Sequence, residues 1–435
     1  MSQSLNVWMN GELVGMWAVD RNSHTFRYDE TWLQSPRRRS LSLSLPISSS
    51  HEIKGDVVKN YFDNLLPDNQ KIRARLSKRF NAKSDTFGLL QAIGRDCVGA
   101  VQLLPENTDP GDWNRIKCDP LSTEQIAEIL RSVPSDSSPS QENDLFRISI
   151  AGAQEKTALT RWNDEWCRPH GSTPTTHIFK LPLGVIATAG VKVDASDSVY
   201  NEWLCAQIVT ELGLRSATTS IETFEKDAVL IVERFDRTWM DDKSWIARLP
   251  QEDFCQALGI PPEKKYEQHG GPGIEKCLQL LQGSQDKNDT IFFLLTQLSF
   301  FLLAAIDGHA KNFSIFLQRG DDYEMTPLYD ILSAWPYIGK GRNQLSWHDA
   351  GLAMALRSKN AHYHFKDIRP RHWKELALKN GGPEVWQAML ELAGSVDTVL
   401  SIIEKKLPQD FPEHTWNSIS TGMKESAQRF LSTET

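Results

Sequence analysis

The most apolar run of the chain, Ile291 to Ile306 (IFFLLTQLSFFLLAAI), is 16 residues long. Crossing a bilayer takes about 20 predominantly apolar residues. This run also contains Thr296, Gln297 and Ser299, and Asp307 follows it directly. It therefore reads as a helix buried on all sides inside a domain. A helix of this kind must be wrapped by other elements, and it delivers Asp307 from a rigid support.

The chain is long enough to do the wrapping. Its 435 residues amount to two or three domains, at roughly 150 residues each. That length excludes a peptide hormone, a lone DNA-binding module and a disulfide-stapled miniprotein. A usage of 40% hydrophobic and 24% charged residues with a net charge of -8 is that of an ordinary globular protein. The six cysteines, at positions 97, 118, 167, 205, 255 and 277, form no CxxC pair, so neither a zinc ribbon nor a thioredoxin-type site is expected. They read as reduced and structural. The start, MSQSLNVWMNGELVG, lacks the basic, apolar and small-residue parts of a signal peptide. The expected compartment is the cytoplasm, with no membrane association.

Along the chain, Asn10-Gly11 joins LNVWM to ELVGMWAV, which predicts a hairpin. Leu41, Leu43 and Leu45 alternate with serines and predict a half-buried strand. Val57, Val58, Tyr61, Phe62, Leu65 and Leu66 recur at helical spacing, and a second helix is expected after Pro67, carrying five cations from Lys71 to Arg79. Ser122 with Gln125 forms a capping-box pattern for a helix through Val133. Pro134 to Asn143 holds four serines and two prolines in ten residues and reads as a linker. Short strands are expected in LFRISI, KTALTRW, THIFKLPL and AVLIVERF, with one helix over Val199 to Leu212. Beyond residue 248 the pattern is mainly helical, interrupted by a strand pair around Phe313–Leu317 and Tyr323–Leu328. No internal repeat is visible.

The segment Asp307-Gly-His-Ala-Lys-Asn312 sets an acid and an amide five residues apart, just after the buried helix. Protein kinases use that spacing in their catalytic loop, where the Asp accepts the proton of the attacking hydroxyl and the Asn holds Mg²⁺. A solvated turn could show the same spacing, and the order of the other parts decides between them. Asp330 follows 23 residues later in PLYDIL, where a second Mg²⁺-binding carboxylate is expected. Upstream, Lys180 lies in the strand-like HIFKLP, placed to neutralise nucleotide phosphates, and Glu202 on the next helix could orient it. AVLIVERFDR ends an apolar strand at Glu233, Arg234 and Phe235, where a two-lobed kinase passes between lobes and meets the adenine. The parts therefore stand in the order of a nucleotide-dependent kinase.

The phosphate loop is less regular. Small residues in Ile150-Ala-Gly-Ala-Gln-Glu-Lys156-Thr would let backbone N–H groups approach phosphates. Glu155 stands where a Walker loop has its glycine, which argues against a Walker NTPase. A plain hairpin turn is the competing reading of Gly152.

FRISIAGAQEKTAL, TTHIFKLP, ERFDR, LPQEDFCQALG, DGHAKNFS and PLYDILSA together resemble the HipA family of serine/threonine kinases, toxins of HipBA-type toxin–antitoxin modules; GRDCVGAVQLLPE near residue 100 extends the resemblance. The resemblance implies an α+β, two-lobed protein-kinase-like fold of the phosphoinositide-kinase-like branch. It adds an N-terminal β-rich subdomain (1–143) to an ATP-binding N-lobe (144–247) and an all-helical C-lobe with the catalytic loop (248–435). By motif, Asp307 resembles the catalytic base, Asn312 and Asp330 the Mg²⁺ ligands, and Lys180 the phosphate-contacting lysine. Glu233, Arg234 and Phe235 would lie at the adenine, His309 and Lys311 near the phosphates. Ala151, Gly152, Ala153, Gln154, Glu155 and Lys156 would lie over them. Ser149 matches the serine that such enzymes autophosphorylate, a switch that pulls the phosphate loop out of the site. Asp330 precedes Ile331 and Leu332 rather than Phe-Gly, and no His-Arg precedes Asp307, so ordinary activation-loop control is not expected.

A net charge of -8 is poor for a stand-alone nucleic-acid binder. Local basic patches occur at Arg37 to Arg39, along Lys71 to Arg79, and over residues 357 to 379, where seven Lys/Arg face two Asp/Glu. The family implies a dimeric helix-turn-helix antitoxin of the HipB type as partner, with operator DNA reached through that complex. It also implies a serine of glutamyl-tRNA synthetase, or a related synthetase, as target. Two other readings stand beside this one: a small-molecule kinase, and a catalytically silent co-repressor.

Overall fold

A computed structural model of the chain describes residues 3–134, 149, 154–188, 190–241 and 243–432. It is an α+β protein of two compact units. One is built from Met1–Leu181, Glu222–Lys264 and Ser314–Glu324, the other from Pro182–Ile221, Lys265–Phe313 and Met325–Thr435.

The first unit begins with the expected hairpin. Strand Gln3–Met9 pairs antiparallel with Glu12–Asp20 around Asn10 (φ 44°) and Gly11 (φ 82°), the two left-handed residues that a tight two-residue turn requires. The sheet continues through Ser23–Tyr28 to Glu52–Lys54 on one side and to Val101–Pro105 on the other. Its inner face packs on helix Asp56–Asp63, where Trp17 stacks on Phe62 with ring centroids 4.1 Å apart. The helix after Pro67 runs Gln70–Arg79.

The alternating leucines do not form the expected strand. Leu41 and Leu45 are buried, but the segment is a turn closed by an isolated bridge between Ser42 and Leu45. Its backbone donors are taken by side chains: Leu41 N–H donates to Tyr28 Oη (2.7 Å), Leu43 N–H to Glu252 Oε1 (2.9 Å) and Ser44 N–H to Ser42 Oγ (3.0 Å). Serines that bond the local backbone compete with a ladder.

A second sheet in this unit runs in the order Asp227–Glu233, His177–Lys180, Lys156–Trp162, Glu165–Pro169, Cys118–Pro120, with all neighbours antiparallel. Helix Thr123–Ser132 carries the predicted Ser122/Gln125 capping box. It buries Ile126, Ala127 and Leu130 in a core shared with Leu159, Phe179 and Ile231. The linker expected over 134–143, the boundary at 143/144 and the strand LFRISI fall almost wholly outside the described residues.

The second unit is dominated by helices, with two small antiparallel ribbons, Gly184–Thr188 with Val191–Ala195 and Gly351–Arg357 with Ala361–His364. At its centre is helix Asp289–Leu303, the predicted buried helix, against which Pro370–Gly394 and Glu413–Leu431 pack. Its first residue, Asp289, is fully buried and accepts from Ser284 Oγ (2.6 Å), Met325 N–H (2.7 Å) and Arg215 Nη2 (3.0 Å). Among the described residues no helix is long and apolar enough to cross a membrane.

Candidate active site

The catalytic-loop candidates are assembled by the way the buried helix ends. Ala304 adopts a left-handed conformation (φ 48°), and Ala305 N–H returns to Phe300 C=O at 2.8 Å, closing a Schellman turn without glycine. The last carbonyls of the helix are then capped from the segment that follows Asp330. Trp335 Nε1–H donates to Leu302 O (3.0 Å), Ser333 Oγ to Leu303 O (2.6 Å) and Ala334 N–H to Ala304 O (2.9 Å). These bonds satisfy groups that a buried helix terminus would otherwise leave unpaired, and they bring PLYDILSA back to the point where the chain leaves for Asp307.

Asn312 completes the joint. Its Nδ2 donates to the backbone carbonyl of Asp307 at 2.9 Å and to that of Asp330 at 3.4 Å. With the amide nitrogen so used, the side-chain oxygen is the atom that could ligate a hard cation. Asp330 itself sits at φ 60°, a left-handed conformation that costs a non-glycine residue free energy and persists only where its surroundings impose it. Strain of that kind concentrates at functional positions. Tyr329 Oη supports the same joint by donating to Lys311 O at 2.8 Å.

The Asp307 side chain is 57% exposed, whereas His309, Lys311 and Asn312 are buried. His309 Nε2 lies 3.9 Å from Asp307 Oδ1. The Asp307 carboxylate also accepts a hydrogen bond from Tyr266, whose ring meets that of His309 edge-on at 4.8 Å. No sequence signal pointed to Tyr266. It lies in a turn-rich stretch whose glycines announce a loop, and its partner is 41 residues away.

The nucleotide-side candidates belong to the first unit. Lys180 is buried in strand His177–Lys180 and stands directly opposite Lys156 in the antiparallel register. Directly opposed residues have their Cβ atoms about 5 Å apart on the same face. Two like charges in that relation repel unless anionic groups stand beside them. The sequence contained both lysines but not this register.

Glu155 is ion-paired with Arg75, and Gln154 Nε2 donates to Leu181 O at 2.6 Å. Ala151, Gly152 and Ala153 lie outside the described residues. Ser149 is fully buried; its Oγ donates to Leu65 O (2.8 Å) and its N–H to Asp96 O (3.1 Å). Glu202 is buried on helix Ser198–Glu211 of the second unit.

Glu233 and Phe235 flank Arg234 at the end of strand Asp227–Glu233. The Arg234 guanidinium is spent inside the protein. It bonds Asp236 (2.8 Å), Asp96 (3.3 Å), Thr175 Oγ1 (2.9 Å) and Cys97 O (2.8 Å). Its N–H donates to Thr176 O (2.9 Å) and its carbonyl accepts from Arg237 N–H (3.1 Å), so both backbone groups are already paired inside the protein. Arg237 and Arg248 complete the cluster, each reaching Asp96 Oδ1 at 3.0 and 3.1 Å. Burial opposes ionisation of Asp96, but Arg237, Arg234 and Arg248 outweigh it and hold its carboxyl far below the usual carboxylate range.

The basic helix predicted over Lys71 to Arg79 is less available than its composition suggests. Arg73 is buried against Asp63 at 2.6 Å, and Arg75 is held by Glu155.

The sequence matches two family models, the HipA-like C-terminal domain over residues 148–403 and the HipA N-terminal domain over residues 5–104. The chain belongs to the HipA family. It is a kinase of that serine/threonine-kinase toxin family. Y4mE of Sinorhizobium fredii, a relative whose name classes it with the kinases, is 33% identical over 77% of this chain and 78% of its own length. The serine/threonine-protein kinase toxin HipA of Shewanella oneidensis is 26% identical over 77% of this chain and 76% of its own. HipA in the solved Shewanella oneidensis complex of HipA, HipB and operator DNA superposes with a TM-score of 0.80 at 22% identity, covering 98% of this chain and 97% of that one. That likeness establishes the HipA fold over almost the whole length.

Proposed function

We propose that this HipA-family kinase transfers the γ-phosphate of ATP, with Mg²⁺, to a serine hydroxyl of another protein. The observation that carries the reading is the Asn312 amide, which ties the backbones of Asp307 and Asp330 together and so holds base and cation ligand at a set spacing. Asp307 takes the hydroxyl proton; Asn312 and Asp330 hold the cation, which supplies charge neutralisation at the phosphates. Lys180, with Lys156 opposite, neutralises the phosphates, and Glu233 and Phe235 bracket the adenine. His309 and Lys311 complete the phosphate end.

The remaining parts of the reading follow from the family. Ser149 is the residue the enzyme phosphorylates on itself. A phosphate adds about -1.5 to -2 charge, which a side chain donating to Leu65 O in a buried site cannot keep in place. The loop from Ser149 to Lys156 must then leave. The target is a serine of an aminoacyl-tRNA synthetase of the glutamyl type, in the cytoplasm. The partner is a HipB-like helix-turn-helix dimer, with which the kinase acts as operator-bound co-repressor. The division into residues 1–143, 144–247 and 248–435 describes the three functional parts.

Phosphoproteomics after induction tests the reading, comparing wild type with Asp307→Gln. New phosphoserine on a synthetase and on the Ser149 peptide is expected in wild type alone. Identical phosphoproteomes with undiminished growth arrest would sink the kinase assignment of Asp307.

A further inference from the structure

A cleft of about 320 Å³ opens against Ile306 and Tyr266, the neighbours of Asp307, within the second unit. One wall is the loop bearing Tyr266 and His269, the other the start of strand Gly351–Arg357, with Asp349 lining its exposed end. The walls are tied together. Glu267 accepts from Ala355 N–H at 2.7 Å and from Arg357 Nε at 3.1 Å, and its side chain is only 7% exposed. Gly273 passes so near Glu267 that a Cβ on it would stand 2.4 Å from the carboxylate carbon. The cleft is thus built into the resting fold.

Two observations identify its occupant. First, the hydroxyl of Tyr266 donates to the Asp307 carboxylate. A general base accepts a hydrogen bond from the hydroxyl it is to deprotonate, and here a part-exposed internal hydroxyl makes that bond. Second, the lining holds the exposed carboxylate of Asp349 and no lysine or arginine; Arg357, further along the strand, is turned to Glu267. A cation is therefore the complementary charge.

We propose that this cleft receives the acceptor segment of the phosphorylated protein. The acceptor's serine or threonine hydroxyl replaces that of Tyr266 at Asp307, and a lysine or arginine near it in sequence meets Asp349. The inference rests on Asp307 being the base. In the step, the acceptor oxygen bonds to the γ-phosphorus of ATP and the bond from that phosphorus to the β,γ-bridging oxygen breaks. ADP leaves with that oxygen, and the hydroxyl proton passes to Asp307. Tyr266 is a positioning residue that guards the base until an acceptor arrives.

The test uses the full chain, radiolabelled ATP and three synthetic peptides with a central serine flanked by lysine, alanine or glutamate. The lysine-flanked peptide is expected to have the lowest KM. Asp349→Asn should raise that KM about fivefold, the worth of one ion pair at a cleft edge, and Asp349→Lys should turn the preference toward the glutamate-flanked peptide. Tyr266→Phe, which keeps the ring and removes the competing donor, should lower KM for all three peptides by about threefold to tenfold. An unchanged ranking in both Asp349 variants, a KM that Tyr266→Phe leaves unchanged or raises, or labelling of Ser149 with none of any peptide would each overturn the cleft assignment. Peptide labelling that survives Asp307→Asn would instead remove the base, and the cleft assignment with it.

Discussion

Gly308 lies so close to Phe300 that a Cβ built on it would stand 2.3 Å from the ring carbon Cδ2. The residue after the proposed base is therefore pressed onto the helix that presents it, and only the absence of a side chain allows the approach. Gly308→Ala must push Asp307 outward or displace the ring. Overpacking of this kind costs about 1–3 kcal/mol, and a displacement of about 1 Å at a reacting group can cost on the order of a hundredfold in rate. A large fall in kcat with a modest fall in Tm is expected, and Gly308→Ala with Phe300→Leu should recover part of the rate. A variant with wild-type kcat would show that the contact does not position Asp307.

Asn312→Asp keeps the size of the side chain but turns its donor into a carboxylate facing the carbonyls of Asp307 and Asp330. Loss of a charge-positioning group at a reacting centre is worth about 10²–10³ in kcat. Steady-state phosphate transfer should fall by that order while circular dichroism remains that of the wild type. A variant that retains the rate would mean that this bridge does not order the site.

Asp96 accepts from three buried arginines, so Asp96→Asn leaves their positive charge poorly compensated. Breaking a buried ion cluster from one side costs about 3–5 kcal/mol, read as a fall in the urea midpoint. The pH dependence has a definite sign. Because the carboxyl of Asp96 is held below its ordinary value in the folded state, its stabilisation is present above the unfolded pKa of about 4 and is lost as pH falls through the depressed folded value. Wild type should lose stability below about pH 4 more steeply than Asp96→Asn. Parallel curves for the two proteins would contradict the assignment.

Glu252 has the opposite sign. It is fully buried, and burial pushes its carboxyl up to about 8 although Oε1 accepts from Leu43 N–H. The folded state therefore holds a proton that the unfolded chain releases near pH 4 to 5, so stability falls as pH rises from there to about 8. The loss is on the order of a few kcal/mol. Glu252→Gln should flatten that slope and be the more stable protein at pH 9. Chemical denaturation at pH 6 and pH 9 distinguishes the outcomes; equal slopes for both proteins would mean that Glu252 is ionised in the fold.

Local signals were legible wherever one segment decides its own conformation. Asn10-Gly11 specified its turn, Ser122 and Gln125 their cap, and the run from Ile291 its buried helix, each through backbone preference or hydrophobicity alone. The alternating leucines misled because Tyr28 and Glu252, distant in sequence, take the donors that a strand would use.

By itself the sequence determined which residue types stand in which order: two lysines, an apolar strand ending at Glu233, a buried helix, Asp307, Asn312 and Asp330. Only the tertiary structure decided that Lys156 faces Lys180, that Asn312 bonds both aspartate backbones, that Asp96 gathers three arginines and that Tyr266 donates to Asp307. The physical reason is separation along the chain. Register, burial and hydrogen-bond partners between residues tens or more than a hundred positions apart depend on how packed elements meet, and no local pattern carries that information.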